Sequence, residues 1–587
     1  MTEGKRLASI EEIRRCGIAP GDSAWLRDFA RLAPSDAWTH EPVRGSWNLR
    51  AYRLADGTSG RLLQVNDRAD DEPEAAVPPE IEISLDLPGW YAVWVGVPHL
   101  DLRPRLGEVM GVDVALDGEP GFVHVHPEAG VRKGRVMVPA NTEVMCFWKC
   151  APLSGRTLRV RVPFGTFLSQ PWGLVRAAVS SLRLVRLSEA QVAAYRREST
   201  DPQTKRVYVV MDGFSHYWFA GAPGKGIDAR FVQSLRDSDV RGVVFQTPAT
   251  GTANWPSARL PLLGEMVPTE KWPNLRRGDR RAYDYVTWAC RNGQEGMRVL
   301  SELCRAAGLE FHASLRMNLA FSNDGILGNG MAEMFNGRFW FTHRECRLGQ
   351  SLDYGRTEVR QFILGTLMEL AQLYDVTGVN LDFTRWPPVI LPHNPPELGT
   401  QFICEVRQSL DRIGQARGRR IALSAFVVDG YHARLTLAEQ RIDLEAWLAS
   451  GALDFVGVQA WDQAAYCALA KRYGAAYYMV QDQDPFVPDG WRNDPAWQEA
   501  GSNQDPVPGE ELLEQPPLNS ILDPTELDGG LAERYRLGIS GVCLVNVGAG
   551  RFVRRLGHPE EMAARPAAGE VWGQEIGPEI RLESTQL

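Results

Sequence analysis

Eight short runs, each apolar almost from end to end, recur between positions 206 and 547, with helical stretches in most of the gaps. They read RVYVVMD (206–212), GVVFQT (242–247), EFHASLRM (310–317), TGVNLDF (377–383), IALSAFVV (421–428), LDFVGVQAW (453–461), AAYYMVQD (475–482) and GVCLVNV (541–547). Strands this uniformly apolar are buried on both faces, and alternation of strand with helix demands a parallel sheet. Eight such units in roughly 350 residues predict an α/β fold, a closed (β/α)8 TIM barrel with insertions.

The stretch before the fourth run has the matching helical period. Val359, Phe362, Ile363, Leu367, Leu370 and Leu373 fall three or four apart, an apolar stripe to lay against the strands. Long insertions are expected after runs two (248–294), three (320–354) and seven (483–525). All three leave from strand carboxyl ends, where barrel enzymes keep their active sites.

Upstream of the barrel the period changes to two. RLLQV (61–65), IEISLDL (81–87), WYAVWVGV (90–97), VDVALDG (112–118), FVHVH (122–126), VMCFW (144–148), LRVRV (158–162) and SLRLVRL (181–187) are separated by Gly, Pro and Asp clusters, the pattern of an antiparallel sandwich or jelly roll. The expected organisation is a helical lead-in over 1–40, a β-sandwich over 41–187, a polar helical linker over 188–205 and the barrel over 206–587. In the lead-in, Ser9 and Glu12 form a capping box, and Ile10, Ile13, Trp25, Leu26 and Phe29 supply apolar stripes. His124 and His126 share one strand face, an arrangement more usual for surface histidines than for a metal site.

With 587 residues the chain needs more than one core. A net charge of −9 and the lack of a Lys/Arg-rich run argue against nucleic acid or an anionic membrane as partner. Eighteen Trp offer flat indole faces of the kind sugars stack on. The first residues contain no apolar signal-like core, and no run approaches eighteen apolar residues, so a cytoplasmic location is expected. Nine scattered Cys fit reduced thiols, with Cys146 and Cys150 as core residues.

The strand ends carry the chemistry. TGVNLDFTRWPP (377–388) puts Asn380 and Asp382 on the inner face of an apolar strand, then adds a cation, Arg385, and an aromatic platform, Trp386, before two prolines stop the strand. Other ends bring Asp212 and His216, Gln246, Arg316 and Asn318, Gln459 and Trp461 with Asp462, and Gln481 with Asp482. Amides, carboxylates and indoles suit a polyhydroxylated ligand such as an oligosaccharide or small glycoside. GAPGKGI (221–227) lacks phosphate-loop spacing, and neither GxSxG nor HExxH occurs. No cofactor and no metal are called for by these motifs.

Glycoside hydrolysis needs two carboxyl groups. Asp382 is the first; Asp462, beside Trp461 and Gln459, ranks ahead of Asp482 and Asp429 as its acid/base partner. Asp212, His216, Arg316, Asn318, Asn380, Arg385 and Gln459 are expected to hold substrate hydroxyls, and Trp386 and Trp461 to stack on the ring. Two rival readings are a non-catalytic carbohydrate-binding barrel and a sugar-acid lyase or isomerase in which Arg316 and Arg385 grip a carboxylate.

LPGWYAVWVGV (87–97) with SSLRLVRL (180–187) resembles carbohydrate-binding jelly-roll modules. LDYGRTEVRQFILGTLMELAQLYDVTGVNLDFTRWP (352–387), IDLEAWLASGALDFVGVQ (442–459) and IALSAFV (421–427) together resemble the glycosyl-hydrolase-like family 10 proteins, departing from their pattern at Thr357, where proline is usual. That resemblance implies a glycosidase fold and Asp382 as the acid ending strand four.

Overall fold

Continuous apolar runs can be satisfied only where neighbours cover both faces, and the barrel provides this. In the computed structural model, which describes residues 18–29, 38–39, 46–68, 78–99, 111–119, 121–127, 131–132, 135–136, 141–162, 174–214, 217, 227, 232, 235–236, 238–275, 277–317, 340–341, 351–384, 390, 394–430, 436–460, 462–481, 524–545, 555–560 and 574–583, all eight runs are strands. They are β1 (Val207–Met211), β2 (Val240–Gln246), β3 (Glu310–Arg316), β4 (Gly378–Asp382), β5 (Ala422–Asp429), β6 (Phe455–Ala460), β7 (Ala476–Gln481) and β8 (Gly541–Val545). Each pairs in parallel with the next, and β8 pairs with β1, closing the barrel. The expected (β/α)8 barrel is therefore present.

Residues alternate between two cores. One parity of each strand faces the helices, in a cluster including Val209, Val243, Phe311, Val379 and Leu381. The other parity fills the barrel axis with Tyr208, Val210, Val244, Phe426, Phe455, Tyr478, Val480 and Cys543. The helix Thr357–Leu373 buries Val359, Ile363, Leu367 and Leu370 as its period predicts. Leu373 is a correction: in the last turn it clears the strands and is 48% exposed. Part of the first expected insertion is also helix, Arg277–Arg291, whereas 320–339 and 483–523 lie outside the described residues.

At the amino ends the axis closes on a polar plug. Glu310 Oε2 accepts from Tyr208 Oη at 2.5 Å and lies 3.2 Å from His312 Nε2, while its Oε1 accepts from Arg241 Nε at 2.9 Å.

The period-two region forms two stacked sheets around one apolar core. Four strands, Ile81–Ser84, Thr157–Arg161, Val112–Leu116 and Val123–Val125, make one sheet in that spatial order. The other has nine. Its main path runs Ser23–Leu26, Ser181–Arg186, Leu87–His99, Thr142–Leu153, Gln574–Leu582, Trp47–Leu54, Ser59–Arg68 and Leu174–Val179.

Two boundaries differ from the sequence expectation. Trp25 and Leu26 are strand, not helix, because Ser23–Leu26 pairs antiparallel with Ser181–Arg186 and Ala24 and Leu26 point into the sandwich core. Residues 1–17, with the expected capping box, lie outside the described residues. At the other end, Gln574–Leu582 leaves the barrel and inserts between Thr142–Leu153 and Trp47–Leu54, so the sandwich takes strands from both ends of the chain.

The linker is helical over Glu189–Thr200, started by a capping box between Ser188 and Gln191. Its Glu198 meets Arg555 at 3.2 Å and His558 Nε2 at 3.8 Å, and His558 Nδ1 lies 2.7 Å from Asp239 beside β2, tying the linker to the barrel. Cys146 is a buried free thiol, and Cys150 a half-buried one whose ionisation burial pushes up to about 11. Among the described residues no helix is long and apolar enough to cross a membrane.

Candidate functional site

The carboxyl ends of β1 to β4 place four polar side chains in one buried cluster. β4 ends at Asp382, which is 1% exposed. An isolated carboxylate at such a depth would cost several kcal/mol, so its hydrogen bonds decide whether it is tolerated. Asp382 Oδ1 accepts from Thr384 N at 2.9 Å and from Thr384 Oγ1 at 2.6 Å. Its Oδ2 accepts from Gln246 Nε2 at 2.7 Å, across β3.

Gln246 is held in turn by Arg316. The guanidinium Nη2 donates to Gln246 Oε1 at 3.1 Å and lies 3.0 Å from Asp212 Oδ2. Asp212 Oδ1 accepts from the backbone N–H of Phe214 at 2.9 Å. Among the described residues the buried Nε of Arg316 has no acceptor, a donor that a water or a substrate hydroxyl would satisfy.

Backbone packing fixes the cluster. Thr247 N donates to Ser314 O at 2.8 Å, Arg316 N to Thr247 Oγ1 at 3.2 Å and Thr250 Oγ1 to Arg316 O at 2.7 Å, so the end of β2 and its loop are stitched to β3. Gly213 sits against the Gln246 carbonyl, where any Cβ would collide, and this lets the loop after β1 close onto β2.

Asn380 lies two residues before the strand end, roughly 6–7 Å below Asp382 along the axis. It is fully buried, accepts from Ser314 Oγ at 2.7 Å and donates to Ser424 Oγ at 2.9 Å, which makes it a brace between β3 and β5 rather than a group presented at the mouth. Gln459 shares the axial parity of Phe455 and Gly457 on β6, so it faces the barrel interior near the mouth.

Asp462, expected as the acid/base partner, has its carboxylate engaged at a helix start. It is exposed, and its Oδ1 accepts from Ala465 N at 3.1 Å, capping the helix Gln463–Arg472. Asp429 is likewise occupied, by Leu437 N and the hydroxyl of Tyr466. Burial, then the hydrogen bond to Asp429, push that hydroxyl well above the ordinary phenol range. His216, Asn318, Arg385, Trp386, Trp461 and Asp482 lie outside the described residues.

Sequence reasoning nominated Asp212, Arg316 and Asp382 but gave Gln246 and Thr384 no particular role. Gln246 carries a readable signal, as the polar residue closing an apolar run; Thr384 carries none. Among the described residues, no group of three or more His, Cys, Asp or Glu converges as a metal site would require.

Fold and site together define a (β/α)8-barrel protein with an acidic, hydrogen-bonded mouth. No family model matches the chain, and no curated protein matches it. Solved structures that align with it include glycoside hydrolases. They include α-L-fucosidase isoenzyme 2 from Paenibacillus thiaminolyticus (12% identity, 62% of this chain and 50% of that one, TM-score 0.36). A noncanonic maltogenic α-amylase from Thermotoga neapolitana aligns at 11% identity over 60% and 69% of the two chains, TM-score 0.32. A glycoside hydrolase family 18 N-acetylglucosaminidase from Paenibacillus barengoltzii aligns at 13% identity over 61% and 99%, TM-score 0.32. Likeness at this level assigns neither an activity nor a residue to this chain.

Proposed function

We propose that this chain is a glycoside hydrolase in which Asp382 is the nucleophile or principal carboxylate. The observation that carries the reading is the charge balance at the mouth. Arg316 pairs directly with Asp212 and reaches Asp382 only through Gln246, so with both carboxyls ionised the three groups carry one net negative charge. Glycosidic cleavage passes through an oxocarbenium-like state whose positive charge such a cluster stabilises. Arg316, one of the two cations that would grip a sugar acid, is already paired with Asp212, which counts against the lyase or isomerase reading.

Asp382 needs an acid/base partner. Asp462, whose carboxylate caps a helix, gives way to Asp482, which follows the last residue of β7 in sequence. Gln459, Asn318 and Arg385 hold sugar hydroxyls in this reading, His216 assists them, and Trp386 and Trp461 stack on the ring. The resemblance of 352–387 to the family 10-like glycosidases agrees with it. The substrate is a neutral oligosaccharide or small glycoside.

The burial of Asp382, at 1% exposure, favours a second reading, a carbohydrate-binding barrel in which this carboxylate only braces the mouth. Turnover of a panel of aryl glycosides by the wild type and by Asp382→Asn, with sugar binding followed by calorimetry, separates the two. Loss of turnover by several orders of magnitude with binding kept supports catalysis by Asp382. Sugar binding without turnover in the wild type supports the binding barrel.

A further inference from the structure

A carboxylate has about four acceptor positions, two on each oxygen. Those of Asp382 Oδ1 are both taken by Thr384, through its N–H and its hydroxyl. Among the described residues Oδ2 accepts a single hydrogen bond, from Gln246 Nε2, which leaves it one open position. The two oxygens are therefore inequivalent.

The orientation of Gln246 follows from its two neighbours. Arg316 carries only donors, so the atom meeting its Nη2 must be the amide oxygen. The amide nitrogen then faces Asp382, which as a carboxylate can only accept. Both contacts require the same rotamer.

We infer that Gln246 is the positioning residue of this site: oriented by Arg316, it holds Asp382 so that Oδ2 is the oxygen presented to substrate. The inference rests on the reading of Asp382 as the principal carboxylate. Gln246 itself touches no reacting atom; it acts through Asp382, and Arg316 acts through Gln246.

Two variants test this. Gln246→Met keeps the length but removes both donor and acceptor. Gln246→Glu keeps the oxygen that Arg316 binds and replaces the donor facing Asp382 with a second carboxyl. On an aryl glycoside turned over by the wild type, Gln246→Met is expected to lose about 100-fold in kcat with KM little changed, because misplacement of a reacting group costs that much. In Gln246→Glu the acid limb of the kcat/KM profile moves to higher pH, since two adjacent carboxyls titrate as a pair.

A readout independent of turnover is the 13C carboxyl resonance of Asp382 in protein labelled at its aspartate side chains, assigned by its absence in Asp382→Asn. In Gln246→Met it shifts with the lost donor, while in a distant control, His124→Ala, it stays. A variant whose unfolding midpoint falls while kcat per folded molecule and the resonance hold overturns the inference and makes Gln246 purely structural. Should the wild type turn over no glycoside, the glycosidase reading fails and the presentation of Oδ2 to substrate is overturned with it; the resonance then separates the two failures, since a shift in Gln246→Met still shows that Gln246 holds Asp382.

Discussion

Arg316 and Asp382 are register partners on β3 and β4, yet the guanidinium turns away from the carboxylate beside it and bonds Asp212 and Gln246 through Nη2. Asp382 thus receives its hydrogen bonds from neutral donors, an amide, a hydroxyl and a backbone N–H. Among the described residues no cation contacts it, so its charge is held in place without being cancelled.

Arg316 is the counter-charge for the cluster, so its removal strands buried acid groups. Arg316→Met is expected to destabilise the protein by about 3–5 kcal/mol, the usual cost of breaking a buried pair from one side. Arg316→Lys should recover part of this by restoring charge without the planar fork. Urea unfolding measures both, and a loss below about 1 kcal/mol would mean that the cluster does not depend on the guanidinium.

Asp462 offers a clean separation of cap from catalyst. Asp462→Ala should cost about 1 kcal/mol of stability and leave turnover unchanged, with Asp462→Asn or Asp462→Ser restoring most of the loss. A fall in turnover of several orders of magnitude in the alanine variant would instead return Asp462 to the role of acid/base.

The plug at the amino ends predicts an acid-sensitive step in stability. Burial pushes the Glu310 carboxyl up, but the hydrogen bond and charge of His312, then Tyr208 and Arg241, outweigh it and hold the group down at about 2. A carboxyl lowered on folding contributes stability that is fully present above its unfolded value near 4.3 and is lost as pH falls toward 2. Glu310→Gln removes that dependence. Between pH 5 and pH 2 the wild type should lose stability faster than the variant in chemical denaturation, by a few kcal/mol at most; parallel curves would show that the plug is not linked to protonation.

The barrel was legible because strands buried on both faces are apolar almost throughout, and all eight runs announce themselves this way. Asp382 was legible as the acid that ends such a run. The role of Gln246 was not, since its partner Asp382 lies 136 residues away and only ring closure brings β1 to β4 around a common axis. The capping role of Asp462 was not singled out, because an aspartate after an apolar strand and before a helix reads equally as a mouth carboxylate or an N-cap. Trp25 and Leu26 misled because a four-residue strand is too short to establish a period, and its pairing with Ser181–Arg186 is remote in sequence.

The placement of Gln574–Leu582 has a consequence for the order in which the molecule can be completed. Arg183 and Glu575, paired through two hydrogen bonds in the finished sheet, are separated by 392 residues, roughly 20–80 s of ribosomal synthesis at about 5–20 residues per second. Throughout that interval the strands flanking the vacant slot, Thr142–Leu153 and Trp47–Leu54, carry open edges of the kind that recruit foreign strands. The domain that begins first is sealed last, and the seal arrives only on a chain whose barrel has already been translated. A product cut short anywhere in the barrel therefore advertises its incompleteness at the opposite end of the molecule, as an unfilled sheet.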